Sequence, residues 1–254
     1  MQTSHHTPLS PTDSPPIVIL LAAGVGRRLS DTHDGPKVLL KFGGQTLIDR
    51  HIAALAAHGV DDIVVTVGYE AERLSEALGD RAGTILNPNY RTGSLVSLWA
   101  QRDRLRSGRS VLLMDGDVLY DKRMIERLIA TPGDAVLLVD REPEPGDEPV
   151  KVCFRDGVMV DFRKRPEHAH DWYGESVGFF KFSADMAAAL ADTCDAYMAA
   201  GRGDQEYEEA IRDLMLAEPE RFAYADVTDL PWTEIDFPED VVKAETQILP
   251  SLIA

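Results

Sequence analysis

The run Leu21-Ala-Ala-Gly-Val-Gly-Arg-Arg-Leu29, closing on Pro36-Lys37, is the segment best equipped for chemistry. Its small residues let the backbone come close to a ligand, and successive N–H groups after a strand can face a phosphate chain. Arg28 offers a planar fork suited to phosphate oxygens, and Lys37 a movable point charge. Spacing excludes two familiar loops. A dinucleotide-binding loop needs a third glycine three positions after Gly26, where Leu29 stands, and a Walker loop needs Gly-Lys-Ser/Thr, which is absent.

Two acidic segments complement these cations. In Leu112-Leu-Met-Asp-Gly-Asp-Val-Leu119 an apolar run delivers Asp115 and Asp117 at its carboxyl end. Magnesium takes one or two carboxylates together with phosphate oxygens and water. In Trp232-Thr-Glu-Ile-Asp-Phe-Pro-Glu-Asp240, Glu234 and Asp236 flank Ile235, so an extended chain sends both carboxylates to one side. Together with Asp117 they can complete a metal site.

The elements that position these residues follow from the apolar pattern. Short continuous apolar runs at 17–21, 62–67, 84–86, 110–114 and 135–139 read as strands buried on both faces. Helical spacing predicts helices over 46–58, 70–78, 94–104 and 121–129 between them. Alternation of this kind predicts an α/β fold, a mostly parallel sheet with helices on both faces. Ligands in such sheets bind beyond the carboxyl ends of the strands, which selects the loops after Leu21 and Met114. From Glu142 the pattern changes. A hairpin is expected around Asp156-Gly157, then a strand over 176–182, helices over 183–200 and 205–216, a strand over 222–227 and a closing helix over 238–247.

The chain has 254 residues, 44% of them apolar, enough for one large domain over 17–254. Residues 1–16 carry four prolines and read as a disordered tail without the apolar run of a signal peptide. The absence of a long apolar stretch argues against membrane insertion and for a cytoplasmic protein. A net charge of −17 argues against a nucleic-acid partner. Cys153 and Cys194 lack metal-binding spacing and read as idle thiols. The oligomeric state is not legible.

The Leu-Ala-Ala-Gly-x-Gly-x-Arg run with its later Pro-Lys resembles the signature of the nucleotidyltransferases that activate sugar phosphates and alcohol phosphates. The resemblance spans nearly the whole chain, from Ile17 to Glu245. It implies a Rossmann-like fold with a small β-containing acceptor lobe at about 142–182. It also implies a loop of Leu21, Ala22, Ala23, Gly24 and Gly26 around the nucleotide, Lys37 and Arg28 as the catalytic cations, and Asp117 as a ligand of Mg²⁺. Asp115 reads as a supporting carboxylate.

Within that family the Trp-x-Glu-Ile-Asp-x-x-Glu-Asp ending at 232–240 is similar to cytidylyltransferases acting on phosphocholine and related amino-alcohol phosphates or phosphonates. Asn87-Pro-Asn-Tyr90 with Ser97-Leu98 resembles an element of the same subgroup and places Asn87 and Ser97 at the nucleotide, although Gly93 stands where the subgroup often has Asn. Gly174-Glu-Ser-Val-Gly-Phe-Phe-Lys-Phe-Ser183 and Tyr207-Glu-Glu-Ala210 also match it, and imply Glu175 and Glu208 at the acceptor. Lys164, Trp172, Tyr173 and Trp232 join them as acceptor candidates, the aromatics because they attract quaternary ammonium groups. The expected activity is a Mg²⁺-dependent transfer from CTP to such an acceptor with release of pyrophosphate. A sugar-1-phosphate nucleotidyltransferase, a non-catalytic nucleotide-binding protein and an NAD-dependent oxidoreductase are the alternatives.

Overall fold

The computed structural model describes residues 14–29, 34–143 and 145–252. Most of the expected tail, at 1–13, lies outside them. Strand β1 (Ile17–Leu21) leads into the glycine loop, and the chain then forms a small hairpin, β2 (Lys41–Phe42) and β3 (Gln45–Thr46). Thr46 caps helix α1 (Leu47–Ala56): its hydroxyl accepts from the Asp49 N–H, and Asp49 accepts in return from the Thr46 N–H. Such a cap contributes about 1 kcal/mol. There follow β4 (Ile63–Val67), α2 (Ala71–Leu78), β5 (Gly83–Leu86), α3 (Ser94–Trp99) and α4 (Arg102–Leu105). Next come β6 (Val111–Asp115), β7 (Val118–Tyr120), α5 (Arg123–Ala130) and β8 (Ala135–Asp140). The second half supplies β9 (Lys151–Arg155), β10 (Val158–Arg163), β11 (Trp172–Phe182), α6 (Ala184–Ala199), α7 (Tyr207–Ala217), β12 (Phe222–Asp226), β13 (Trp232–Glu234) and α8 (Pro238–Lys243).

The centre of the main sheet is parallel, in the order β5-β4-β1-β6, and β11 joins β6 antiparallel. From β11 the sheet continues in two directions, to β9 and β10 and to β8 and β12. The segment expected as an acceptor lobe therefore extends the same sheet. Alternate residues of β1 show why helices cover both faces. Val18 and Leu20 pack with Ile48 and Leu55 of α1, Leu74 of α2 and Leu128 of α5. Ile17 and Ile19 pack with Leu95 of α3, Leu190 of α6 and Ile211 of α7.

The helix expected over 94–104 is two short helices. Gln101, at the break, is fully buried and donates from Nε2 to Thr66 Oγ1 at 2.9 Å. At the Asp156-Gly157 turn both residues have positive φ (52° and 79°), the geometry a two-residue hairpin demands. Two pairings were not foreseen, β2 with β3 and β7 with β13. The second is decisive for the site. No helix among the described residues is long and apolar enough to cross a membrane.

Candidate active site

The chain leaves β1 for β4 and β5 on one side and returns to β6 on the other, so the sheet order reverses at β1. Such a switch point opens a crevice at the carboxyl ends of the strands. Leu21 and Asp115, the last residues of β1 and β6, are register partners at its floor. A cleft above them is lined by Leu21, Ala22, Gly24, Gly26, Arg28 and Lys37, with Asp117 and Asp236 opposite. Arg27 and Val38 also line it and were not singled out from the sequence. Gly26 has φ 62°, and a Cβ there would lie 2.7 Å from Lys37 Cγ, so only glycine lets Lys37 cross the loop.

Lys37 is the hub. Its ammonium pairs with Asp117 and donates to Asp236 Oδ1 at 2.7 Å. Burial opposes its charge, but the two carboxylates outweigh burial and raise its pKa. Burial likewise works against the Asp236 carboxylate, yet Lys37 and Arg28 hold it below its ordinary value. Arg28 donates to Asp236 at 3.0 Å and to Glu148 at 3.1 Å, with its guanidinium 4.7 Å from the Phe237 ring centroid. Glu148 belongs to the run of acids and prolines over 142–149. Its pairing with Arg28 carries no local sequence signal.

Asp117, Glu234 and Asp236 each offer one oxygen within 4.8 Å of the others. Two features hold them there. Strand β13 pairs with β7, matching Glu234 with Val118. Asp240 Oδ2 accepts from the N–H groups of Asp236 (2.9 Å) and Phe237 (2.7 Å) as α8 begins. Although part of Glu234 is exposed, the protein crowding its carboxyl and the charges of Asp117 and Asp236 raise its pKa well above the usual range. Three hard carboxylate oxygens beside the glycine loop are a donor set that suits Mg²⁺.

A second cavity, about 490 Å³, adjoins the first and falls in the size range of small-ligand sites. Lys164, Glu175, Glu208 and Trp232 line it, with Asp115, Glu234 and Asp236 toward the cleft. Asp140 and Tyr207 are further members the sequence did not suggest. Trp232 donates from Nε1 to Asp140 at 2.9 Å, and the Tyr207 hydroxyl donates to Asp115 at 2.6 Å. Asp115 sits against Gly178 (φ 78°), where any Cβ would collide with its carboxylate. Loss of water and the charges of Asp117 and Glu208 raise the Asp115 pKa well above the usual range. Burial, then Glu206, pushes Glu208 up to about 7, and its buried Oε2 has no hydrogen-bond partner among the described residues. Lys164 Nζ lies 3.4 Å from Glu206 and 3.7 Å from Glu148. Its loop is anchored by buried Asp161, which accepts from Arg212 Nε and from the N–H groups of Glu167 and His168.

Several expected residues lie elsewhere. Trp172 and Tyr173 do not line the cavity. Strand register sets Trp172 opposite Phe154, the two rings stack with centroids 4.0 Å apart, and the Arg141 guanidinium lies over the indole at 4.8 Å. Tyr173 meets His170 edge-on and Lys151. Asn87 and Ser97 line neither cavity. Both are buried, and Asn87 Nδ2 donates to Ser97 Oγ at 3.0 Å, which ties the loop after β5 to α3. Ala23 is buried beside the cleft, its carbonyl accepting from the Tyr69 N–H. Cys153 and Cys194 are buried free thiols.

The fold is that of the nucleotidyltransferases. The structure of the CTP:phosphocholine cytidylyltransferase of Streptococcus pneumoniae matches it with a TM-score of 0.72, covering 90% of this chain and 97% of that one at 20% identity. The chain belongs to the family of the MobA-like NTP transferase domain, which it matches over residues 18–171. It is 28% identical over 256 residues to the CMP-5'-(3-aminopropyl)phosphonate synthase of Streptomyces rubellomurinus, taking in 95% of this chain and 40% of that protein. It is 30% identical over 237 residues to the bifunctional IPC transferase and DIPP synthase of Rubrobacter xylanophilus, taking in 91% of this chain and 51% of that protein. The chain thus spans about half the length, or less, of these two relatives.

Proposed function

We propose that this chain is a Mg²⁺-dependent cytidylyltransferase. It transfers the cytidylyl group of CTP to a small phosphate or phosphonate that carries an ammonium group with N–H donors, and it releases pyrophosphate. The observation that carries this reading is the convergence of Lys37, Asp117 and Asp236 from three separate segments beside the glycine loop.

In the proposed reaction the acceptor oxygen attacks the α-phosphorus of CTP in line with departing pyrophosphate. The oxyanion is already ionised at neutral pH, so no protein nucleophile or base is required. The glycine loop, Arg28 and Lys37 bind and orient the triphosphate and neutralise its shifting charge. Asp117 and Asp236, with Glu234, would hold Mg²⁺, which when bound supplies further neutralisation of the phosphate oxygens.

The second cavity supports this acceptor class. Its carboxylates Glu175 and Glu208 favour a positive head group. The unpartnered Glu208 oxygen calls for a hydrogen-bond donor, which a primary ammonium has and a trimethylammonium lacks. The aromatic surface a quaternary ammonium prefers is reduced here. Trp172 is engaged by Phe154 and Arg141, and Phe237 by Arg28. The aminopropylphosphonate in the name of the Streptomyces relative supports the same class. The test is a matrix of CTP, UTP, GTP, ATP and dTTP against 2-aminoethylphosphonate, phosphoethanolamine, phosphocholine, inositol phosphate and a hexose 1-phosphate, read by pyrophosphate release. CTP with a primary-amine acceptor should turn over fastest. Faster turnover of the hexose phosphate overturns the reading.

A further inference from the structure

His51 lines neither cavity, yet it touches the backbone of the acid loop. It lies on the inner side of α1, 1% exposed, with Nε2 at 3.0 Å from the carbonyl oxygen of Gly116. A carbonyl only accepts, so the imidazole proton is on Nε2 and His51 is the donor. Tyr120 and Phe179 box the ring, with centroids 5.1 and 6.0 Å away, and those two rings meet edge to face at 4.8 Å. The imidazole therefore has little freedom to turn.

The accepting carbonyl belongs to the peptide that joins Gly116 to Asp117. The orientation of that peptide sets the φ angle of Asp117 and with it the direction of the Asp117 side chain. The neighbouring groups are also fixed. The Gly116 N–H donates to the Leu21 carbonyl at 3.0 Å, and the Asp117 carbonyl accepts from the Ile235 N–H at 2.9 Å. No side chain fits at 116, where a Cβ would lie 2.7 Å from Val38 Cγ1 and 2.9 Å from the Leu21 oxygen. Helix α1 is in turn bound to the Lys37 turn, because the Leu47 N–H donates to the Leu40 carbonyl and the Leu40 N–H to the Lys37 carbonyl. His51 thus links the segment that carries Lys37 to the peptide that aims Asp117.

We propose that His51 is a positioning residue for the metal site. Its N–H on the Gly116 carbonyl fixes the backbone that directs the Asp117 carboxylate toward Glu234 and Asp236. The inference rests on the reading of these three acids as metal ligands. His51→Leu and His51→Met remove the donor while keeping apolar bulk, and His51→Gln keeps an amide N–H at similar reach. Mn²⁺ binding to the purified, folded proteins without nucleotide, followed by the free-ion EPR signal, reads the site independently of catalysis. Rate against Mg²⁺ concentration and KM for CTP are measured alongside.

The apolar variants should bind Mn²⁺ about tenfold or more weakly, the usual scale for losing a group that orients a ligand. Their half-saturating Mg²⁺ should rise in parallel, with KM for CTP changing by less than about threefold, and His51→Gln should restore most of the loss. Wild-type Mn²⁺ affinity in folded His51→Leu or His51→Met overturns the proposal, as does a glutamine variant no better than leucine. A wild-type protein that binds no Mn²⁺ overturns the metal site itself, and the proposal with it.

Discussion

The main-chain N–H of Ile235 donates to the carbonyl oxygen of Asp117 at 2.9 Å. This bond joins residues 118 positions apart, and it sits between Glu234 and Asp236. Ile235 points away into a small apolar cluster with Leu29, Phe42, Leu47 and Leu119. Burying that one side chain turns both neighbouring carboxylates toward Asp117. The cluster below and the acids above are two sides of the short segment in which β13 ends.

Lys37→Ala should lower turnover by about 10²–10³-fold, the cost of losing a preorganised charge in an active site. Lys37 is paired with Asp117 and Asp236, the carboxylates proposed to hold the metal. The same variant should therefore bind Mn²⁺ more tightly than wild type when nucleotide is absent. Steady-state rates and Mn²⁺ titrations check the two effects, and near-normal turnover at saturating substrate sinks the role.

Asp117→Asn and Asp236→Asn should each raise half-saturating Mg²⁺ by about tenfold or more. Asp236→Asn also removes a partner of both Lys37 and Arg28, so its rate should fall further. Rate against Mg²⁺ for each variant is the measurement. Unchanged Mg²⁺ profiles in both rule out a shared site.

Glu208 titrates near pH 7. Below that value its carboxyl becomes neutral and loses its attraction for an ammonium group. KM for an amino-phosphonate should therefore rise as pH falls from 8 to 6, with KM for CTP much less affected. In Glu208→Gln the acceptor KM should be raised at pH 8 and rise less steeply as pH falls, keeping only the dependence that comes from protonation of the acceptor's own phosphonate. A pH profile for the variant parallel to that of wild type contradicts the assignment.

His51 gives a stability signature. Burial depresses its pKa from 6.5 to about 4, with its hydrogen bond to Gly116 acting weakly the other way. The unfolded chain therefore takes up a proton between those values that the folded chain refuses. The contribution is fully present above about pH 6.5 and is lost as pH falls toward 4, about 3 kcal/mol in all. Denaturant unfolding of wild type and His51→Gln across pH 7.5 to 4 should show the steeper loss in wild type. Equal slopes would falsify it.

The parallel core and the positions of Lys37 and Asp117 could be read from the sequence because each depends on a short local pattern. Strand β1 announces itself by continuous apolar residues, and the glycine loop follows it directly. Glu234 and Asp236 were legible as a pair by alternation, since Ile235 between them is fully buried. The fate of Trp172 was not legible. Its neighbour Phe154 is chosen by the register of two strands whose hairpin intervenes, and Arg141 comes from the end of a third. The Arg28–Glu148 pair is hidden for the same reason, because Glu148 stands in a run of acids and prolines that looks uniformly solvated. His51 read only as one residue of a helix, since a single buried histidine has no pattern of its own.

The pairing of β7 with β13 has a consequence for biosynthesis. Strands β1, β4, β5 and β6 are all complete by residue 115, whereas Trp232–Glu234 is made last but for the final helices. A chain is synthesised from its N-terminus at roughly 5–20 residues per second. The glycine loop and the four parallel strands are therefore made several seconds before Asp236, and the helices α6 and α7 that cover one face of β1 come between. Until then Lys37 has Asp117 but not Asp236, and the acid trio is incomplete. A chain that stops before β13 has Lys37 and Asp117 but neither Glu234 nor Asp236, two of the three clustered carboxylates.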